Sequence, residues 1–206
     1  PPTSGTQVYN AIARTGNNTI TNITTVGFPP DLAIIHHRTF TVYGALFSRL
    51  RGALKSLNPN RTAGENPGAY TDTLLSFNMD GITLGADATG QEVNQVPYNY
   101  INWFFRRYPG VFDEVCYTGT GDALNVSHNL GVVPELIIVK HRNAADNWAV
   151  YAGDATDYTI LNTTAATADD PAWWNDTAPT ASVFTVHSDH AVNESTGTYV
   201  AYLFAT

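Results

Sequence analysis

One stretch of this chain is written twice, and the repetition limits its possible folds more than any single residue does. Val26-Gly27-Phe28-Pro29-Pro30-Asp31-Leu32-Ala33-Ile34-Ile35-His36-His37-Arg38 aligns with Leu130-Gly131-Val132-Val133-Pro134-Glu135-Leu136-Ile137-Ile138-Val139-Lys140-His141-Arg142. Glycine, proline, acid, leucine, β-branched pair, histidine and arginine keep their order and spacing. At the same offset Ala45-Leu46-Phe47 falls on Ala149-Val150-Tyr151, and Leu75-Ser76-Phe77 falls near Ser182-Val183-Phe184. Each copy closes on an aromatic stretch, Tyr98 to Phe105 and Tyr199 to Phe204. A period of about 100 residues is too long for an ordinary solenoid repeat and suits a duplicated domain. The expected organisation is an N-terminal arm over 1–12, a first module over 13–110 and a second over 111–206.

The local patterns read as strands. Leu32 to His37 and Leu136 to His141 are continuous apolar runs bounded by proline and polar residues, as in central strands covered on both faces. Leu124 to Ser127 alternates, as a half-buried strand does. Asp80-Gly81, between alternating residues, supplies the positive φ angles of a tight hairpin turn. The second copy keeps a strand over Val183 to Val186, and Ser188-Asp189-His190 in place of the turn predicts a looser hairpin. Ser48 to Leu57 reads either as a short helix or as a turn followed by a strand. Residues 58–70 and 162–179 are long loops, often functional in compact domains. The fold class expected is all-β: two tandem, homologous, β-sandwich-like domains. The arm, rich in Pro, Gly, Thr and Ser, is expected to be mobile unless a partner orders it.

Composition narrows the function classes. Only 14% of residues are charged, while 43% are hydrophobic. This is a folded protein with a neutral polar surface, not a disordered chain. The net charge of −8 is uneven. Up to Gly110, eight Lys and Arg oppose six Asp and Glu; from Val111 onward, two oppose twelve. A strongly acidic second half argues against nucleic-acid binding. It is compatible with drift of solvated faces, or with one module docking while the other faces outward. Cys116, the one cysteine, can form no intrachain disulfide and is expected to be buried packing. No apolar run of about 18 residues is present, so no membrane span is expected. The N-terminal residues lack the basic and apolar regions of a secretory leader.

Three clusters carry candidate chemistry. His187-Ser188-Asp189-His190 reads as a polar loop or as a metal site. The repeated Gly27, Pro30, His37 and Arg38, with Gly131, Pro134, His141 and Arg142, read as scaffold, with each arginine a candidate partner of the preceding acid. The loop Asp169-Asp170-Pro171-Ala172-Trp173-Trp174-Asn175-Asp176 offers carboxylates beside aromatics. Asp169, Asp170, Trp173, Trp174 and Asn175 form a sugar-contacting shelf, a subunit contact or an intrachain packing core. Seven Asn-X-Ser/Thr triplets arise readily from this composition. No phosphate loop, nucleophile elbow or dinucleotide fingerprint is visible, so no catalytic residue, metal ligand or cofactor is expected.

Gly131 to Lys140, Asp146-Asn147-Trp148-Ala149-Val150-Tyr151 and Tyr199 to Phe204 resemble a module of bacteriophage virion proteins, especially tail fibres, where it recurs within one chain. The joint Tyr108-Pro109-Gly110-Val111-Phe112, followed by Tyr117-Thr118-Gly119-Thr120-Gly121, is similar to the way such modules are strung together. The resemblance covers most of 111–206 and is weaker over 13–105, where Gly44 stands in place of Trp148. It implies a non-enzymatic virion protein: a tail, fibre or baseplate component that assembles with other virion proteins. A homo-oligomer, a trimer among them, and contact with a host-surface glycan go with it. Capsid decoration and a carbohydrate-binding or carbohydrate-active protein are the alternatives.

Overall fold

The computed structural model describes residues 4–39, 41–67, 70–88 and 93–206. The first three residues of the expected arm, and residues 68 and 69 of the first long loop, lie outside them. The fold is all-β, and every ladder among the described residues is antiparallel. The chain forms two compact units. The N-terminal unit holds residues up to Pro59 together with Glu65–Arg107; the C-terminal unit holds Asn60–Gly64 together with Tyr108–Thr206.

In the N-terminal unit the strands are β1 (Tyr9–Thr15), β2 (Thr21–Ile23), β3 (Leu32–His37), β4 (Ala45–Ser48), β5 (Lys55–Ser56), β6 (Asn66–Pro67), β7 (Leu74–Asn78), β8 (Gly81–Leu84) and β9 (Asn99–Phe105). The main sheet runs β1-β9-β3-β4, and a smaller sheet runs β2-β8-β7. Ala33, Ile35, Phe47, Tyr100 and Phe104 of the first sheet meet Ile23, Leu74, Ile82 and Leu84 of the second in one core. This is the sandwich principle: each sheet buries one face against the other. The hairpin turns over Met79-Asp80, one residue earlier than expected, and only Gly81, at φ +101°, takes a positive angle; a Cβ there would strike the Ile23 carbonyl oxygen.

The C-terminal unit contains β10 (Phe112–Thr118), β11 (Leu124–Ser127), β12 (Leu136–His141), β13 (Trp148–Tyr151), β14 (Asp157–Ile160), β15 (Ala168–Asp169), β16 (Val183–Val186) and β17 (Thr198–Phe204), with short helices α1 (Pro171–Trp174) and α2 (His190–Asn193). Its main sheet runs β10-β17-β12-β13-β14-β15, and β11 pairs with β16. The order β10-β17-β12-β13 has the connectivity of β1-β9-β3-β4, and β11-β16 that of β2-β8. Val126, Phe184 and Val186 pack against Ile137, Val139, Ala149, Tyr199 and Ala201.

The structure corrects several expectations. Within the span assigned to the arm, a 3-10 turn over Gly5–Gln7 leads into β1 at Tyr9. Val8 is buried and its carbonyl accepts from Arg106 N–H, so the segment is fixed by the chain itself. Ser48 to Leu57, for which two forms were open, takes the turn followed by the short strand β5. β16 is not half of a loose hairpin. It takes the place of β8 in the strand order, pairs with β11, and is followed by α2. Cys116 is exposed: on β10 it alternates with Val115 and Tyr117, which face the core cluster.

Candidate functional site

The repeated residues occupy corresponding places in the two units. Gly27 and Gly131 take φ +87° and +77°, which glycine alone adopts cheaply. Pro30 and Pro134 are buried. His37 lies opposite Tyr100 in the ladder and His141 opposite Tyr199, with ring centroids 4.4 Å and 4.5 Å apart. All four rings are buried. Arg38 N–H donates to Asn99 O and Arg142 N–H to Thr198 O, the same bond in each unit. The expected pairing of Arg38 with Asp31 does not form. They stand at opposite ends of a six-residue strand, about 20 Å apart. Asp31 instead accepts from Arg107 N–H and lies 3.5 Å from Arg49 Nε. Glu135 accepts from the Thr206 hydroxyl.

The Trp loop turns inward. Asp170 caps α1 by accepting from Ala172 N–H, Pro171 opens the helix, and Asn175 closes it in the left-handed region. This short turn buries both indoles. Trp173 is 6% exposed and stacks on Tyr158 at 3.9 Å; Trp174 is 1% exposed and meets Tyr151 edge-on. An indole in the core offers no open face to a pyranose. Of the residues proposed for contact, Asp169 is exposed and Asp170 and Asn175 are half-buried.

The four-residue His187 to His190 segment splits. His187 N–H donates to Trp173 O, while Asp189 caps α2 through Ala191 N–H. His190 Nδ1 lies 2.6 Å from Asp146 Oδ2, in the turn between β12 and β13. His141 Nδ1 lies 3.6 Å from the same oxygen. Asp146 is buried, and its other oxygen accepts from Asn147 N–H. The Tyr199 hydroxyl accepts from Glu194 N–H and donates to His190 O, tying α2 to β17. Lys140 is fully buried and donates to Thr62 O and His141 O. Asp146 N–H also reaches Thr62 O, and Trp148 Nε1 donates to Arg61 O, so this cluster holds residues 60–64.

The electrostatics follow from burial. The hydrogen bond to Asp146 raises His190 above the usual histidine range, against a smaller effect of desolvation. Burial pushes the Lys140 amine down to about 8, with Asp146 opposing. Burial raises the Asp189 carboxyl, and the capping N–H of Ala191 opposes it. A buried carboxylate on Nδ1 fixes the tautomer and makes Nε2 more basic, as it does for imidazoles that move protons or bind metals. Among the described residues, no three His, Cys, Asp or Glu side chains converge as a metal site.

Sequence reasoning missed a second repeated pair. Asn94 and Asn193 each stand six residues before Tyr100 and Tyr199, and both are fully buried. Asn94 Nδ2 donates to Gly85 O and Thr19 O; Asn193 Nδ2 donates to Asp122 O. Gln95 N–H and Glu194 N–H bond the two tyrosine hydroxyls in turn. The shared six-residue spacing was the available signal. Beside Asn94 a cleft of about 250 Å³ opens, lined by Asn18, Ala86, Asp87, Ala88, Gln95 and Val96. The cleft and α2 occupy the same interval of strand order, after β8 and after β16.

A family model matches residues 4–206, under the description Domain of unknown function (DUF7483). No curated protein and no solved structure matches the chain.

Proposed function

We propose that this chain, which belongs to the DUF7483 family, is a structural protein of a bacteriophage particle, a tail, fibre or baseplate component in assembly and host contact. One observation carries the reading. The segments that resemble tail-fibre modules, Gly131 to Lys140, Asp146 to Tyr151 and Tyr199 to Phe204, supply β12, β13 and β17, which lie side by side in one ladder. The resemblance is therefore to a sheet and its His141–Tyr199 contact, the framework of a building block.

We read the two units as tandem copies of one module. Their common strand order, the His37–Tyr100 and His141–Tyr199 contacts and the Asn94 and Asn193 turns support that reading. The units differ in the interval after β8 and β16 and in charge, which suits one unit attaching and the other presenting. Weak contacts multiplied over symmetric copies give avidity without catalysis.

The test is to locate the protein in particles purified from the phage that encodes it, by antibody labelling with quantitative mass spectrometry. A few to some tens of copies at the tail is the expected result. Several hundred copies over the head would replace the tail assignment with capsid decoration, and absence from particles would end the virion reading. Turnover of capsule or cell-wall glycan by the purified protein would overturn the non-enzymatic part.

A further inference from the structure

The cleft of the N-terminal unit is held by a network of side-chain and backbone hydrogen bonds. Asn18 and Asp87, two of its walls, stand at φ +52° and +60°. Left-handed backbone at a non-glycine residue persists where surrounding bonds over-determine it. Here they do. Asn18 N–H donates to Asn94 O, and Asn18 Oδ1 accepts from Val96 N–H at 2.9 Å. Asp87 Oδ2 accepts from Val93 N–H at 2.6 Å and Asn94 N–H at 3.0 Å. Beneath them, Arg14 bonds Asn94 Oδ1 and the Val93 carbonyl and lies over the Tyr100 ring.

These bonds also orient the two amides. Because Asn18 Oδ1 takes a backbone N–H, its Nδ2 is the group left over. Gln95 Nε2 leans toward the Asp87 carbonyl at 3.5 Å, which leaves Oε1. Among the described residues, Asn18 Nδ2 and Gln95 Oε1 have no hydrogen-bond partner. The cleft thus offers one amide donor and one amide acceptor. Its remaining surface includes the methyl groups of Ala86 and Ala88 and the half-exposed Val96. A secondary amide carrying a methyl group is the complement: its carbonyl accepts from Asn18, its N–H donates to Gln95, and its methyl meets the alanines and Val96. At about 30 Å³ per water, the cleft holds roughly eight waters' worth of space, enough for an acetamido group and part of a ring.

We propose that this cleft binds the acetamido group of an N-acetylated sugar. The choice of a sugar rests on the host-contact reading above; the amide complementarity does not. It also assigns glycan contact to residues of the N-terminal unit instead of to the buried Trp173 and Trp174.

Saturation-transfer NMR on the purified full chain tests this with the methyl glycosides of N-acetylglucosamine and of glucose, and with an acetyl-lysine methyl ester. The expected result is transfer strongest at the acetyl methyl and millimolar affinity, with glucose at least tenfold weaker. Asn18→Gly tolerates the left-handed backbone and removes the amide; Gln95→Met keeps the length and removes the acceptor. Each should weaken binding about tenfold or more while the chain stays folded by circular dichroism. Equal response to both glycosides, no response, or unchanged binding in both variants would overturn the site. Acetyl-lysine binding tighter than the N-acetylated glycoside would overturn the sugar. None of these outcomes bears on whether the protein is in the particle, so the two readings fail separately.

Discussion

His190 Nδ1 lies 2.6 Å from Asp146 Oδ2, a largely exposed imidazole seated on a buried carboxylate. The contact joins α2 to the turn after β12, and that turn holds residues 60–64 through Thr62. A surface proton equilibrium is thereby connected to a buried network.

The pH response of this contact has a definite sign. Asp146 raises His190 above its ordinary 6.5. An imidazole raised in the native state adds stability that is fully present below the unfolded value and is lost as pH climbs through the native one. His190→Gln should therefore be less stable than the parent near pH 5 and indistinguishable from it near pH 9. The difference is small, because the ring is 71% exposed and water screens it. Thermal melts across that range check it; a difference independent of pH would contradict the ion pair.

Lys140 responds in the alkaline range. Its native value near 8 lies below the ordinary 10.5, so the native state carries the cost of a buried ammonium below about pH 8. That cost is relieved as pH rises from about 8 toward 10.5, where the unfolded chain still holds the proton. Lys140→Met should lack this relative gain, measured by urea unfolding at pH 7.5 and pH 10.

Trp174 is a core residue. Trp174→Ala should cost about 3–5 kcal/mol through lost burial and a cavity. Its Nε1 is buried and makes no hydrogen bond among the described residues, so Trp174→Phe forfeits packing alone and should cost well under half as much. Chemical denaturation of the two variants gives the comparison, and equal losses would mean the indole N–H is bonded.

Asp80 does more than start a turn. Its carboxylate accepts from Thr25 N–H at 3.2 Å and Gly27 N–H at 2.7 Å, pinning the chain before β3 to the β7–β8 hairpin. Asp80→Ala should cost about 1–2 kcal/mol, from two bonds of ordinary net strength, by equilibrium unfolding. Asp80→Asn keeps one acceptor oxygen but turns its NH2 toward the other backbone N–H, so it should recover at most about half of that loss.

Arg51 is a buried cation whose Nη1 reaches Glu65 Oε1 at 2.6 Å, with further bonds to Ser48 Oγ, Lys55 O and Leu46 O. Removing one partner of a buried pair strands the other, at about 3–5 kcal/mol. Glu65→Ala should lose that much, and Arg51→Met combined with Glu65→Met should lose less. A double variant no better than the single one would place the stability in the other Arg51 bonds.

Elements whose signal is local were legible. β3, β12, β11 and β16 fall where the apolar runs and the alternation put them, and Gly81 supplies the positive φ at the hairpin. Period-two burial and turn chemistry act over a few neighbours, so a string of residues contains them. The repeated histidines were visible in the sequence, but their partners, Tyr100 and Tyr199, come from register between strands more than 50 residues apart.

The chain by itself therefore determined an all-β fold, the position of its central strands and the repetition between its halves, because these follow from hydrophobic period and glycine–proline punctuation. Tertiary structure decided what those signals leave open. It turned Trp173 and Trp174 into the core and buried Val8 within the span expected to be an arm. It seated His190 on Asp146 across 44 residues and brought Asn18 and Gln95 to one cleft. Each of these is a contact between distant segments, fixed when sheets pack and register is chosen, and side-chain direction is not written in any single stretch of sequence.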